Sequence, residues 1–103
     1  MFSNTLIHDH EQRFFSLKNE WEEETVYLSS INDICMHPAY QQIIGMGRIA
    51  LPLILHEIQK NPGHWFQALK AISGENPVPP IHRGKIGKMA EAWIKWGKVK
   101  GYI

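Results

Sequence analysis

One cysteine, Cys35, is all the thiol chemistry the chain of 103 residues has. That excludes an intramolecular disulfide and agrees with a reducing compartment. Long apolar runs are also missing. The most apolar stretch, Ile49 to Leu55, falls far short of the roughly 20 residues that span a bilayer. Met1 to His10 has neither a basic start nor an apolar run, which predicts no signal peptide and a cytoplasmic location. No H-E-x-x-H or C-x-x-C spacing occurs, and no P-loop. No nucleophile, base and orienter stand in a recognisable pattern. The reading is therefore no catalytic residue, no metal site and no cofactor.

Net charge is also nearly absent, at +1, but it is unevenly spread. Residues 1–33 carry seven acids against Arg13 and Lys18, a balance of −5. Residues 83–103 carry six bases against Glu91, a balance of +5. Such a chain has a dipolar surface, or ends that face each other within one copy or between two.

Apolar residues recur at helical rather than strand spacing. Leu6, His10, Phe14, Leu17 and Trp21 lie three or four apart and predict a first helix from about Asn4 to Glu24, with Ser3, Asn4 and Thr5 as N-cap candidates. The acidic run Glu22 to Glu24 opposes the helix dipole and predicts an end near Thr25. Thr25 to Leu28 reads as an extended connection, and Ser29 and Ser30 cap a short helix through Met36. Pro38 suits the first position of the next helix, through Ile44. Further helices are expected over Arg48–Lys60, Gly63–Ser73 and Lys85–Val99, with a loop through Pro77, Pro79 and Pro80. Ile86, Met89, Ala90, Trp93 and Trp96 form the inward stripe of the last. The expected fold is one all-α domain over residues 1–103, a compact array of about five helices, the later ones packed as antiparallel neighbours.

Two segments carry a resemblance. Gly47-Arg48-Ile49-Ala50-Leu51-Pro52-Leu53-Ile54-Leu55 resembles the first helix of a HEAT-like repeat, and Trp65 to Gly74 the second helix of such a pair. Ala92-Trp93-Ile94-Lys95-Trp96 is similar to the segment after the last pair in bacterial HEAT-like proteins. The likeness covers about residues 47–96, and the whole chain resembles a family of small bacterial proteins. It implies a HEAT-like antiparallel pair and a binding role, and it names no ligand.

Gly45-Met46-Gly47-Arg48-Ile49-Ala50 matches G-x-G-x-x-A, but a helix rather than a strand precedes it and no acid stands at the required distance beyond it. It reads as a helix-to-helix turn. His8, Asp9, His10 and Glu11 read as polar residues of a helix start, since neighbours two apart diverge. Cys35 and His37 lie beside a helix break, and Cys35 reads as a buried small hydrophobe.

Three functions remain. The preferred one is a small protein-binding regulatory module, of antitoxin, immunity or adaptor type, contacting a larger partner through His64, Trp65, Phe66, Trp93 and Trp96, with a homodimer also compatible. Of the adjacent pair Trp65 and Phe66, one is expected in the core and one partly exposed. The second is a nucleic-acid-binding module using Arg83, Lys85, Lys88, Lys95, Lys98 and Lys100 with interleaved tryptophans, Glu91 pairing with Lys95. The third is a small hydrolase using histidines brought together in space, such as His37, His56 and His64, at least two of them in a concave pocket beside a carboxylate.

Overall fold

A computed structural model describes the backbone of residues 2–103 and the side chains from residue 9 onward. The side chains of the N-cap candidates Ser3, Asn4 and Thr5, and those of Leu6 and His8, lie outside the described residues. Six α-helices account for most of the described chain, and no strand occurs among those residues. They are α1 (Phe2–Thr25), α2 (Ile31–Cys35), α3 (Pro38–Gly45), α4 (Ala50–Lys60), α5 (Phe66–Ser73) and α6 (Ile86–Lys100). Short 3₁₀ turns at Gly47–Ile49 and Pro80–His82 complete the order. The all-α architecture accords with the helical spacing of the apolar residues. No described helix is long and apolar enough to cross a membrane.

Local chemistry sets the helix ends. The Ser30 side chain accepts the Asp33 amide and starts α2. His37 caps α3: its Nδ1 accepts the Ala39 N–H at 3.0 Å, with Pro38 at the first helical position. Pro52 is the third residue of α4, where its missing N–H belongs to the first turn and no helical bond is lost. Gly74 ends α5 at φ 72°, a left-handed conformation that a side chain would strain. The Thr25–Leu28 connection is a turn rather than the extended connection expected. Leu28 N–H donates to the Thr25 carbonyl, and the Thr25 hydroxyl donates back to the Trp21 carbonyl.

Two aromatic clusters anchor the core. In the first, Trp65 stacks near Phe14 of α1 and Tyr40 of α3, with ring centroids 5.7 and 5.9 Å away, and Trp21 leans on it at 4.8 Å. Trp21 Nε1 donates to the Ile34 carbonyl at 2.8 Å, which ties α2 to α1. In the second, Trp93 and Trp96 meet edge to face and Tyr102 stacks on Trp96. Between the clusters lie Ile43, Leu51, Ile54, Leu55, Ile58 and Leu69, all essentially without solvent exposure. Aromatic pairs of this geometry contribute about 0.5–1.5 kcal/mol each beyond their buried area.

The main packing neighbours are not always consecutive. Helix α1 lies chiefly on α3, α5 chiefly on α3, and α4 chiefly on α6, while α4 and α5 touch less. The α4–α6 contact is close because Gly97 faces Leu55. A Cβ at Gly97 would stand 2.6 Å from the Leu55 Cδ1.

One hydroxyl joins the first cluster to α5. Tyr40 Oη donates to the His64 carbonyl and accepts the Ala68 N–H, both at 2.8 Å. Ala68 is in the first turn of α5, whose N-cap residue, Trp65, offers no side-chain acceptor. Tyr40 therefore supplies from α3 the cap that α5 lacks locally. Burial pushes the Tyr40 hydroxyl far above its ordinary value, so it stays neutral. Glu57 of α4 is buried and is held by Lys18 of α1 at 2.9 Å. Burial works against the Lys18 charge, but Glu57 and Glu22 outweigh it and its pKa stands raised.

Candidate functional site

The connection Asn61–His64 borders two grooves. The first, about 320 Å³, is floored by Cys35, Phe66 and Met89 and rimmed by Ile31 and Ile86, with Gly63 and His64 at one end. The second, about 410 Å³, is lined by Trp21, Val26, Leu28, Ile34 and Trp65, and it shares Gly63 and His64 with the first. Ile31 is 55% exposed and Ile86 49% exposed. Two half-exposed isoleucines that line the same apolar groove are more informative than scattered surface apolar residues.

The reason these residues are exposed is local. Helix α2 has five residues, too few to turn every apolar side chain inward. It buries Ile34 and Cys35, and that leaves Ile31 outward. Ile86 opens α6 one residue after Lys85, before the helix reaches its core contact at Ala90. The expected inward stripe of the last helix thus begins at Met89, and Ile86 leaves it.

The sequence-derived contact residues divide between floor and core. His64 and Phe66 line the first groove, and His64 and Trp65 the second. Trp65 is 4% exposed and Phe66 9%, so both are core, against the expectation that one would be partly exposed. Trp65 packs against Phe14, Trp21 and Tyr40, while Phe66, the next residue, points to the first groove, so each finds its own neighbours. Trp93 is fully buried and Trp96 is 8% exposed. They are packing residues of the α4–α6 side and not free surface anchors. The Trp96 indole N–H is buried with no hydrogen-bond partner among the described residues.

The six basic positions Arg83, Lys85, Lys88, Lys95, Lys98 and Lys100 are exposed, as a solvated helix face should be. The tryptophans between them in sequence are buried, Trp93 fully and Trp96 nearly so, and little aromatic surface stands among the cations. Glu91 meets Lys88 at 3.5 Å rather than Lys95, because a pair three apart shares a helix face as readily as one four apart. Lys100 reaches Glu75 at 3.5 Å. The acidic end of α1 does not meet α6: Glu22 pairs with Lys18 and Glu24 with His37.

His37, His56 and His64 do not converge. His37 Nε2 contacts Glu24 at 2.8 Å, His56 lines a separate groove with His10 and Glu11, and His64 lines the two grooves that share it. The cluster a histidine-dependent hydrolase requires is therefore not formed by these three. Among the described residues, no group of three or more His, Cys, Asp or Glu side chains is placed to hold a metal ion. Cys35 is buried, and burial raises its thiol pKa, which is the opposite of nucleophile activation.

Fold and grooves together define a small all-helical domain with an aromatic core and an apolar face at the α2–α5–α6 corner. No family model matches the chain, and neither a curated protein nor a solved structure matches it.

Sequence reasoning missed Ile31 and Ile86 as exposed rims, and also Val78. Val78 is 3% exposed and fills the core from within the proline-rich loop, its N–H held by the Asn76 side chain. A lone branched apolar residue among prolines was the available signal.

Proposed function

We propose that the chain is a small protein-binding accessory module, and that a larger protein docks an apolar, acid-flanked segment in the groove between Ile31 and Ile86. The observation that carries this is the pairing of two half-exposed isoleucines over an apolar floor. The rim charge selects the partner. Lys70 lines the groove, and Arg83 and Lys85 flank its Gly84 and Ile86 in sequence, all exposed and without an ion pair among the described residues. Cations around an apolar slot favour acids on either side of an apolar anchor. A HEAT-like relationship for Gly47 to Gly74 fits a binding role and is part of this proposal rather than its basis.

The test is affinity capture from native extract with wild type and with the Ile31→Glu/Ile86→Glu variant. Both side chains are half in water, so the variant should keep the wild-type fold, which circular dichroism checks. A stoichiometric protein held by wild type and lost from the variant supports the reading, provided an acid-flanked apolar peptide from that protein competes. Equal capture by both proteins refutes it.

A further inference from the structure

Tyr27 is 94% exposed, at the apex of the turn that ends α1. Val26 and Leu28 beside it are exposed as well. The turn is not slack. The Thr25 hydroxyl is bonded to the Trp21 carbonyl and the Leu28 amide to Thr25, so the tip is held outward in a fixed shape. Behind it stand Glu20 and Glu23, exposed and with no cationic partner among the described residues.

On α6 the chain carries the complementary surface. A groove of about 580 Å³ runs between Pro77 and Pro79 on one wall and Ala92, Trp96 and Val99 on the other. Lys95 lines it, and Lys98 stands one turn later; neither is in an ion pair with a described residue. The acid on the same wall, Glu91, is already taken by Lys88. Trp96 reaches the groove only by the small part of its ring left uncovered, and the Pro77 and Pro79 rings with Val99 supply the apolar surface that suits the face of an aromatic ring. Within one copy the two surfaces do not meet: among the described residues no ion pair joins residues 20–24 to α6, and α1 packs chiefly on α3. The −5 of the first third and the +5 of the last 21 residues therefore remain unneutralised by each other.

We infer that this chain self-associates head to tail, the Val26-Tyr27-Leu28 tip of one copy seating in the α6 groove of the next, with Glu20 and Glu23 against Lys95 and Lys98. The interface is heterologous, so each copy has one tip and one groove to offer, and assembly continues as a ring or an open chain. Exposed charges contribute modestly and are screened, so association is concentration-dependent and weakens with salt.

Sedimentation of the full chain tests this. Wild type should gain weight-average mass with concentration at low salt and lose the gain at high salt. Tyr27→Ser, which alters a side chain that is almost wholly in solvent, should weaken association about tenfold or more. Lys95→Glu/Lys98→Glu should do the same. The decisive arm mixes the two: the first variant keeps its groove and the second its tip, so they should form a 1:1 dimer and nothing larger. A wild type monomeric at all concentrations overturns the inference, and so does assembly indifferent to Tyr27→Ser or a mixture that stays monomeric. Ile31→Glu/Ile86→Glu should self-associate like wild type, which separates this surface from the proposed partner groove.

Discussion

Replacing Tyr40 by Phe removes one oxygen and leaves the ring in place. That oxygen serves two backbone groups at 2.8 Å, the His64 carbonyl and the Ala68 N–H. Each lost hydrogen bond costs about 0.5–1.5 kcal/mol net, and a buried partner left unsatisfied raises this to about 1–3 kcal/mol. Tyr40 has no solvent exposure, so water has no direct route to replace the hydroxyl. We expect a loss of about 2–4 kcal/mol, a large share of the roughly 5–15 kcal/mol that stabilises a domain of this kind. Urea denaturation should show a lower midpoint with an unchanged slope, and the melting temperature should fall by about 10–20 °C. Alkaline pH supplies a second signature. The folded-state pKa of Tyr40 is raised, so its contribution is complete below the ordinary tyrosine value near 10 and declines as pH climbs above it. The Cys35 thiol, also raised by burial, adds a decline that begins near pH 9. Tyr40→Phe should flatten the steeper part of that decline. A variant within about 0.5 kcal/mol of wild type, with the same alkaline profile, would refute the capping role assigned to Tyr40.

Other perturbations probe the fold independently. Gly97→Ala adds a methyl 2.6 Å from a Leu55 atom that is fully buried; it should destabilise by about 1–3 kcal/mol by chemical denaturation, even though alanine is the better helix former by about 1 kcal/mol. Lys18→Ala leaves the buried Glu57 carboxylate without its cation, and a loss of about 1–3 kcal/mol is expected by the same assay, with Glu57→Gln in the Lys18→Ala background recovering part of it. His37→Ala removes the α3 cap and should cost about 0.5–2 kcal/mol, while His37→Asn, which caps as well, should cost clearly less.

Much of the fold was legible because it rests on periodicity and punctuation. Phe14 and Trp21 share a helical face and are buried on it, Pro38 opens α3, and Gly74 closes α5, each by local chemistry that a sequence displays. The features that escaped depend on non-local geometry. Trp65 and Phe66 are both buried because α1 and α3 bring Phe14, Trp21 and Tyr40 against Trp65, and Tyr40, 28 positions from Ala68, takes the place of a local cap. Trp93 and Trp96 were legible as part of the inward stripe of the last helix and are buried on it, but only the fold shows which neighbour they meet: α4, where Leu55 lies against Gly97. The groove residues His64 and Phe66 were singled out for the right neighbourhood, but its exposed rims, Ile31 and Ile86, come from two helices that only the fold brings together.

The proposed function rests most directly on the Ile31–Ile86 groove, and a comparison of captured partners tests it. Nuclease-treated native extract would be passed over wild type, Ile31→Glu/Ile86→Glu and Tyr27→Ser, with bound proteins quantified after a salt wash. One stoichiometric protein should be retained by wild type and Tyr27→Ser and lost from the groove variant, and its own acid-flanked apolar segment should displace it. Retention of the same protein by all three, or no retained protein on wild type, would contradict the proposed function.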